Sequence, residues 1–161
     1  MKPNRFSLTR AAAAFVLVAA ATPAFAEGPF SPLQGSWSGG GTINMRDGSS
    51  ERLRCRVSYA VGGGGDSVNQ NLNCASDSYK VVINSNVTAN GNAISGSWSE
   101  TSRGVSGQLS GTATGGNINA QVAGTGFGAG IGIATRGSSQ SVSIRVNGGD
   151  VQSVALSLKK Q

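Results

Sequence analysis

An all-β fold is predicted here, an up-and-down meander of about ten antiparallel strands forming a closed or flattened β-barrel. Three observations carry the prediction. Apolar and small polar residues alternate with a period of two along most of the chain after residue 26. Turn signals interrupt that alternation at short, regular intervals: Asp47-Gly48, Gly62–Gly65, Asn90-Gly91, Arg103-Gly104, Gly115-Gly116, Arg136-Gly137 and Gly148-Gly149. Nothing in that region shows the period of about 3.6 residues that marks an amphipathic helix.

The chain opens differently. Residues 1–26 carry Lys2, Arg5 and Arg10, then an apolar run broken by Pro23 and ending Ala24-Phe25-Ala26. A charged start, an apolar centre and small residues at the end form a secretory signal peptide, cleaved after Ala26. The run is interrupted too early for a spanning helix of about 20 apolar residues. The remainder, residues 27–161, reads as one domain able to bury a single core.

The strands follow in order. From Leu33 to Met45 one face holds Leu33, Gly35, Trp37, Gly39, Gly41, Ile43 and Met45, and the other holds serine, glycine, threonine and asparagine. The next strands centre near Cys55, Leu72 and Val82. "NAISGSWSE" sets Ile94, Gly96 and Trp98 against Ser95, Ser97 and Ser99. "VSGQLSGTA" sets Val105, Gly107, Leu109, Gly111 and Ala113 against polar residues, and "NINAQVA" does the same with Ile118, Ala120 and Val122. Phe127, Ala129, Ile131 and Ile133 share a face, as do Val142, Ile144 and Val146, and then Val154, Leu156 and Leu158. Such segments are half-buried strands, apolar inward and small-polar outward. Short connections make neighbours pair as hairpins, and an even-numbered meander closes without a crossover, removing both edges. A two-sheet sandwich is the alternative.

Cys55 and Cys74 test the register. If Arg52–Val61 and Asp66–Ser76 form a hairpin around Gly62–Gly65, Cys55 stands directly opposite Cys74 and Val57 opposite Leu72. Opposed Cα atoms at a non-hydrogen-bonded pair lie about 4.5 Å apart, within disulfide range. Two cysteines in an exported chain therefore read as one structural disulfide, which places the protein in the periplasm or outside the cell.

Composition excludes much. The chain has 13 Lys and Arg against 7 Asp and Glu, and no histidine. Three of those cations lie in the leader, which leaves ten against seven, a net +3, too mild to argue for nucleic acid. Without histidine the commonest general base and metal ligand is missing. No Gly-x-Ser-x-Gly elbow occurs, and the acidic residues are isolated in sequence. No catalytic group, metal site or cofactor is therefore expected. A lipid-facing barrel would need an apolar outer face with aromatic girdles, for which residues 27–161 hold too few aromatics.

The Gly35-x-Trp37 opening of the first strand resembles that of the calycin barrels, the lipocalins, avidins and nitrobindin-like proteins. The resemblance implies a tryptophan packed across the base of a barrel and a ligand held inside it. It covers the first strand. The haem-ligating histidine of nitrobindin has no counterpart, and the biotin contacts of avidin have no matched positions. In its general make-up the chain is similar to small exported β-proteins of Gram-negative bacteria.

Trp37 and Trp98 read either as core anchors or as cavity lining. Gly39, Gly41, Gly96, Gly107 and Gly111 make many inward positions small, so either the barrel flattens until its faces meet or it keeps an apolar cavity. On the second reading a small apolar or lipid-like ligand is bound without catalysis, lined by Trp37, Ile43, Trp98, Leu109 and Phe127. The alternative is an interaction protein, a protease inhibitor or a partner of an envelope protein or anionic glycan, acting through its loops. It would use Arg52, Arg54 and Arg56, which share one strand face. Asp77 falls roughly opposite Arg52, which would make this face an ordinary solvated one.

Overall fold

The computed structural model describes residues 27–161; the expected signal peptide lies outside them. Ten strands follow one another: β1 (Gly35–Met45), β2 (Ser50–Gly62), β3 (Ser67–Ala75), β4 (Lys80–Asn90), β5 (Ala93–Glu100), β6 (Val105–Thr114), β7 (Asn117–Gly124), β8 (Phe127–Arg136), β9 (Ser139–Asn147) and β10 (Val151–Lys160). Each pairs antiparallel with its neighbours in sequence, and β1 pairs with β10, so the barrel is closed. The closing seam runs from Trp37 opposite Lys160 to Met45 opposite Val151, with one bulge at Asn44/Met45. No edge is left, which rules out the open sandwich.

The register of β2 and β3 is the predicted one. Cys55 opposes Cys74 and Val57 opposes Leu72, and the two cysteines are bonded with their Cα atoms 4.1 Å apart. Alternation also holds: Leu53, Cys55, Val57 and Tyr59 are buried while Arg52, Arg54, Arg56 and Ser58 are exposed. The outer wall is therefore polar, the reverse of what a lipid-facing barrel requires. Among the described residues no helix is long and apolar enough to cross a membrane.

One end of the barrel is sealed by the segment ahead of β1. Its backbone docks on the Gly62–Gly65 turn, where Gly28 donates to Gly64 at 2.8 Å and Phe30 to Gly65 at 3.0 Å. Gly65 has φ +103°, and a Cβ there would strike Gly28 and Ser31. Only glycine fits both the left-handed backbone and the close approach. Across the base Gly116 donates to the Pro29 carbonyl at 3.0 Å. The segment thereby drives Phe30 and Leu33 into the core, at 0% and 1% exposure.

Inward glycines act differently from the space-leaving role expected of them. A Cβ on Gly39, Gly41, Gly96, Gly107 or Gly111 would meet a backbone carbonyl of the neighbouring strand: Ser157, Ala155, Asn86, Ala123 and Asn119 respectively. Their missing side chains let adjacent strands coil tightly into the barrel rather than hollowing its centre.

Candidate functional site

The barrel has two unlike ends. At the base the inward side chains are packed out. Trp37 is 1% exposed, and its Nε1 donates to the Leu33 carbonyl at 2.7 Å. The Lys160 ammonium stands 5.5 Å from the ring centroid, a cation–π contact. Tyr59 donates to Gln140 Oε1 at 3.0 Å, and Gln140 Nε2 to Thr135 Oγ1 at 3.0 Å. Burial pushes the Tyr59 phenol well above its ordinary value, so it stays protonated as a donor.

Toward the other end, where the turns around Asp47, Asp77, Ser102, Gly126 and Gly149 lie, the packing changes. On β10, β1 and β2 the inward Leu156, Ile43, Met45 and Leu53 are buried, with Val154 half-buried. On the facing wall more inward positions keep accessible surface. Leu109, Val122, Phe127, Ile131, Ile144 and Val146 occupy inward positions yet are only half-buried. Each keeps some accessible surface, although Leu109 and Ile131 also pack against the core. Trp98, 8% exposed, packs edge-on against Phe127, centroids 5.6 Å apart and planes at 65°. Trp98 and Ala129 are buried but stand apart from the contiguous core that holds Trp37 and Ile43.

The register draws a polar row across this interior. Tyr59 opposes Gln70, Gln70 opposes Ser85, and Ser85 opposes Trp98. Ser85 Oγ donates to Gln70 Oε1 at 3.3 Å, whereas Trp98 Nε1 is buried with no hydrogen-bond partner. A buried N–H left unpaired is uncommon and points to something unmet at the site. The sequence reading missed this row and the Tyr59–Gln140–Thr135 chain. Their signal was parity: Gln70 shares a face with Leu72, Ser85 with Val87, and Gln140 with Val142.

Of the five residues expected to line a cavity, the structure brings Trp98 and Phe127 together, with Leu109 on the same open wall. Ile43 lies in the filled wall opposite, and Trp37 lies at the sealed base. The two inward carboxylates are tied to turns at the open rim. Burial alone would raise Glu100, but backbone N–H groups of Val82 (3.1 Å), Ser102 (3.0 Å) and Arg103 (2.8 Å) donate to it and hold it below its ordinary value of 4.5. Hydrogen bonds from Ser76 and Ser78 lower Glu51 in the same way.

Outside the barrel there are two shallow clefts. One, about 370 Å³, lies across β3–β6 and is lined by Asn69, Asn86, Ser95 and Gln108 among others. The second, about 380 Å³, lies across β1–β3 and is lined by Ser36, Ser38, Arg56, Ser58, Asn71 and Asn73. The pairing of Arg52 with Asp77 is not formed; the one ion pair among the described residues is Arg103–Glu100, at 3.9 Å. Among the described residues no group of three or more His, Cys, Asp or Glu gathers as metal ligands would.

No protein-family model matches the chain, and neither does any curated protein. Solved structures do. Rv2717c from M. tuberculosis superposes with a TM-score of 0.65 over 81% of this chain and 94% of its own, at 17% identity. The S-type phycobiliprotein lyase CpeS from Guillardia theta superposes with a TM-score of 0.60 over 82% of this chain and 89% of its own, at 10% identity. The chain shares its barrel fold with both.

Proposed function

We propose that this protein is a binding protein of an extracytoplasmic compartment, periplasmic or secreted, that takes a small apolar or lipid-like ligand into the open end of its barrel. The observation that carries the reading is the half-buried inward wall of Leu109, Val122, Phe127, Ile131 and Ile144, set above a base that Phe30, Leu33 and Trp37 close. A concave apolar interior with few convergent polar groups is the usual form of a small-molecule site. Polar groups beside this wall are few, and the unpaired Trp98 N–H is buried against Gly107. The Cys55–Cys74 bond supports an oxidising compartment.

Binding without catalysis is part of the proposal. A fold of this kind does not set its chemistry, as the lyase neighbour illustrates. In this chain the inward carboxylates are engaged by backbone and serine donors and depressed in pKa, which leaves them poor proton donors or acceptors near neutral pH.

The test is a fluorescence titration with a lipophilic quencher on two variants, Trp37→Phe and Trp98→Phe. Saturable quenching with one site per chain is expected in Trp37→Phe, which keeps Trp98, and none in Trp98→Phe. Quenching of Trp37 alone would place the ligand at the sealed end and sink the proposal.

A further inference from the structure

We propose that the outer wall from β10 to β4 is a docking face for an anionic polysaccharide, a second site on the side of the barrel away from any interior ligand. The register makes the face larger than the three arginines of β2. Arg54 opposes Ala75, which opposes Lys80. Arg56 opposes Ser38, which opposes Lys159. All five cations are exposed on one continuous curve of sheet.

Nothing acidic shares that wall. The sequence has seven acidic residues. Glu27 precedes the barrel, Asp47, Asp66, Asp77 and Asp150 sit in turns, and Glu51 and Glu100, the two on strands, are at inward positions. A face that only keeps a protein soluble mixes both signs; this one carries a single sign. Same-face neighbours on a strand stand about 6.6–6.8 Å apart, and positions two strands apart about 9.5 Å. The cations therefore form a grid with spacings suited to repeated charges along a linear polymer.

What lies between the cations selects the kind of polymer. The outward Ser36 and Ser38 of β1 are small, and with Arg56, Ser58, Asn71 and Asn73 they leave the 380 Å³ cleft. Its amides are held in place: Asn73 donates to Asn71 at 2.6 Å, and Asn71 to Asn84 at 2.6 Å. Fixed amides and hydroxyls beside guanidinium groups match a sugar chain that offers hydroxyls together with carboxylate or phosphate. A membrane surface fits less well, because docking there draws on large apolar side chains to insert, and the face presents only Ala60, Ala75, Ala155 and the half-buried Val82.

The experiment uses the protein as exported and oligogalacturonate of defined length as the probe, with neutral dextran, phosphatidylglycerol vesicles and single-stranded DNA as comparisons. Saturable binding of the oligogalacturonate that weakens as salt rises is expected. Arg54→Ser/Arg56→Ser should weaken it more than about tenfold, since each lost charge-assisted hydrogen bond is worth that much. Arg136→Ser, beyond this wall at the end of β8, should leave it unchanged. Circular dichroism and the quencher titration, run on the same samples, show whether the double variant keeps its fold and its interior site. Equal loss in Arg136→Ser, equal binding of dextran, tighter binding of vesicles or DNA, or no binding at all would each overturn the proposal, without bearing on the interior ligand.

Discussion

Replacing Trp37 with alanine tests how the base of the barrel is held. The indole is 1% exposed. Truncation removes about 150 Å² of buried apolar surface, about 4 kcal/mol at about 25 cal/mol per Å². The same change strips the Leu33 carbonyl of its donor at 2.7 Å, about 1 kcal/mol more. The total, about 5 kcal/mol, is at the upper end of the range for large-to-small core changes. A domain stable by about 5–15 kcal/mol would be left marginal or unfolded. Trp37→Phe separates the two contributions: it keeps most of the ring and removes the N–H, for a loss of about 1–2 kcal/mol. Urea unfolding of both variants, followed by circular dichroism with the disulfide intact, measures the difference. If alanine lowers stability by less than about 1.5 kcal/mol with an unchanged denaturant slope, Trp37 does not clamp the base and the account of the sealed end fails.

Three further outcomes follow from the same geometry. Cys55→Ser/Cys74→Ser should lose about 3 kcal/mol in the chain-entropy account of a loop this long, and the unreduced, denatured parent should show no reactive thiol. Gly41→Ala, which sets a methyl against the Ala155 carbonyl, should lower stability by about 1–3 kcal/mol despite the better strand propensity of alanine, read as a fall in Tm. Glu100 is depressed in the folded state, so its stabilisation is complete above its ordinary value of 4.5 and fades as pH falls through the lower folded pKa. Glu100→Gln should therefore make the acid limb of the stability profile shallower in urea midpoints taken from neutral pH downward; an unchanged limb would show that the three N–H donors do not favour the charged form.

The fold was legible because each strand carries its own period and each turn its own glycine. The register of β2 and β3 could even be worked out in advance, since one turn and one cysteine pair overdetermine it. The segment before β1 was not legible in the same way. Phe30 and Pro32 have no period, and what they do depends on the Gly62–Gly65 turn about 30 residues further on, where Gly65 leaves room for Gly28. A contact of that kind belongs to the closed barrel and has no local trace.

The interior shows where alternation stops being informative. It assigns Gly39, Gly41 and Gly111 to the inner face, and small residues on an inner face can mean either an empty centre or a backbone drawn close. The carbonyls of Ser157, Ala155 and Asn119 decide for the second. The open end owes its room to something else. Leu109, Ile131 and Ile144 are full-sized yet half-buried, because a circuit of ten strands encloses more width than single side chains from its walls can span, a barrel of about eight being the size they just fill. At the base the same width is filled by an added layer, Phe30 and Leu33, brought in by the chain ahead of the first strand. Where no such layer enters, inward side chains keep accessible surface. Phe30→Ala should therefore do two things at once: lower stability by about 3–5 kcal/mol, and make Trp37, silent in the parent, accessible to the lipophilic quencher from the base. A variant that loses stability while Trp37 stays unquenched would mean that other side chains close the base, and that Phe30 does not provide the missing layer.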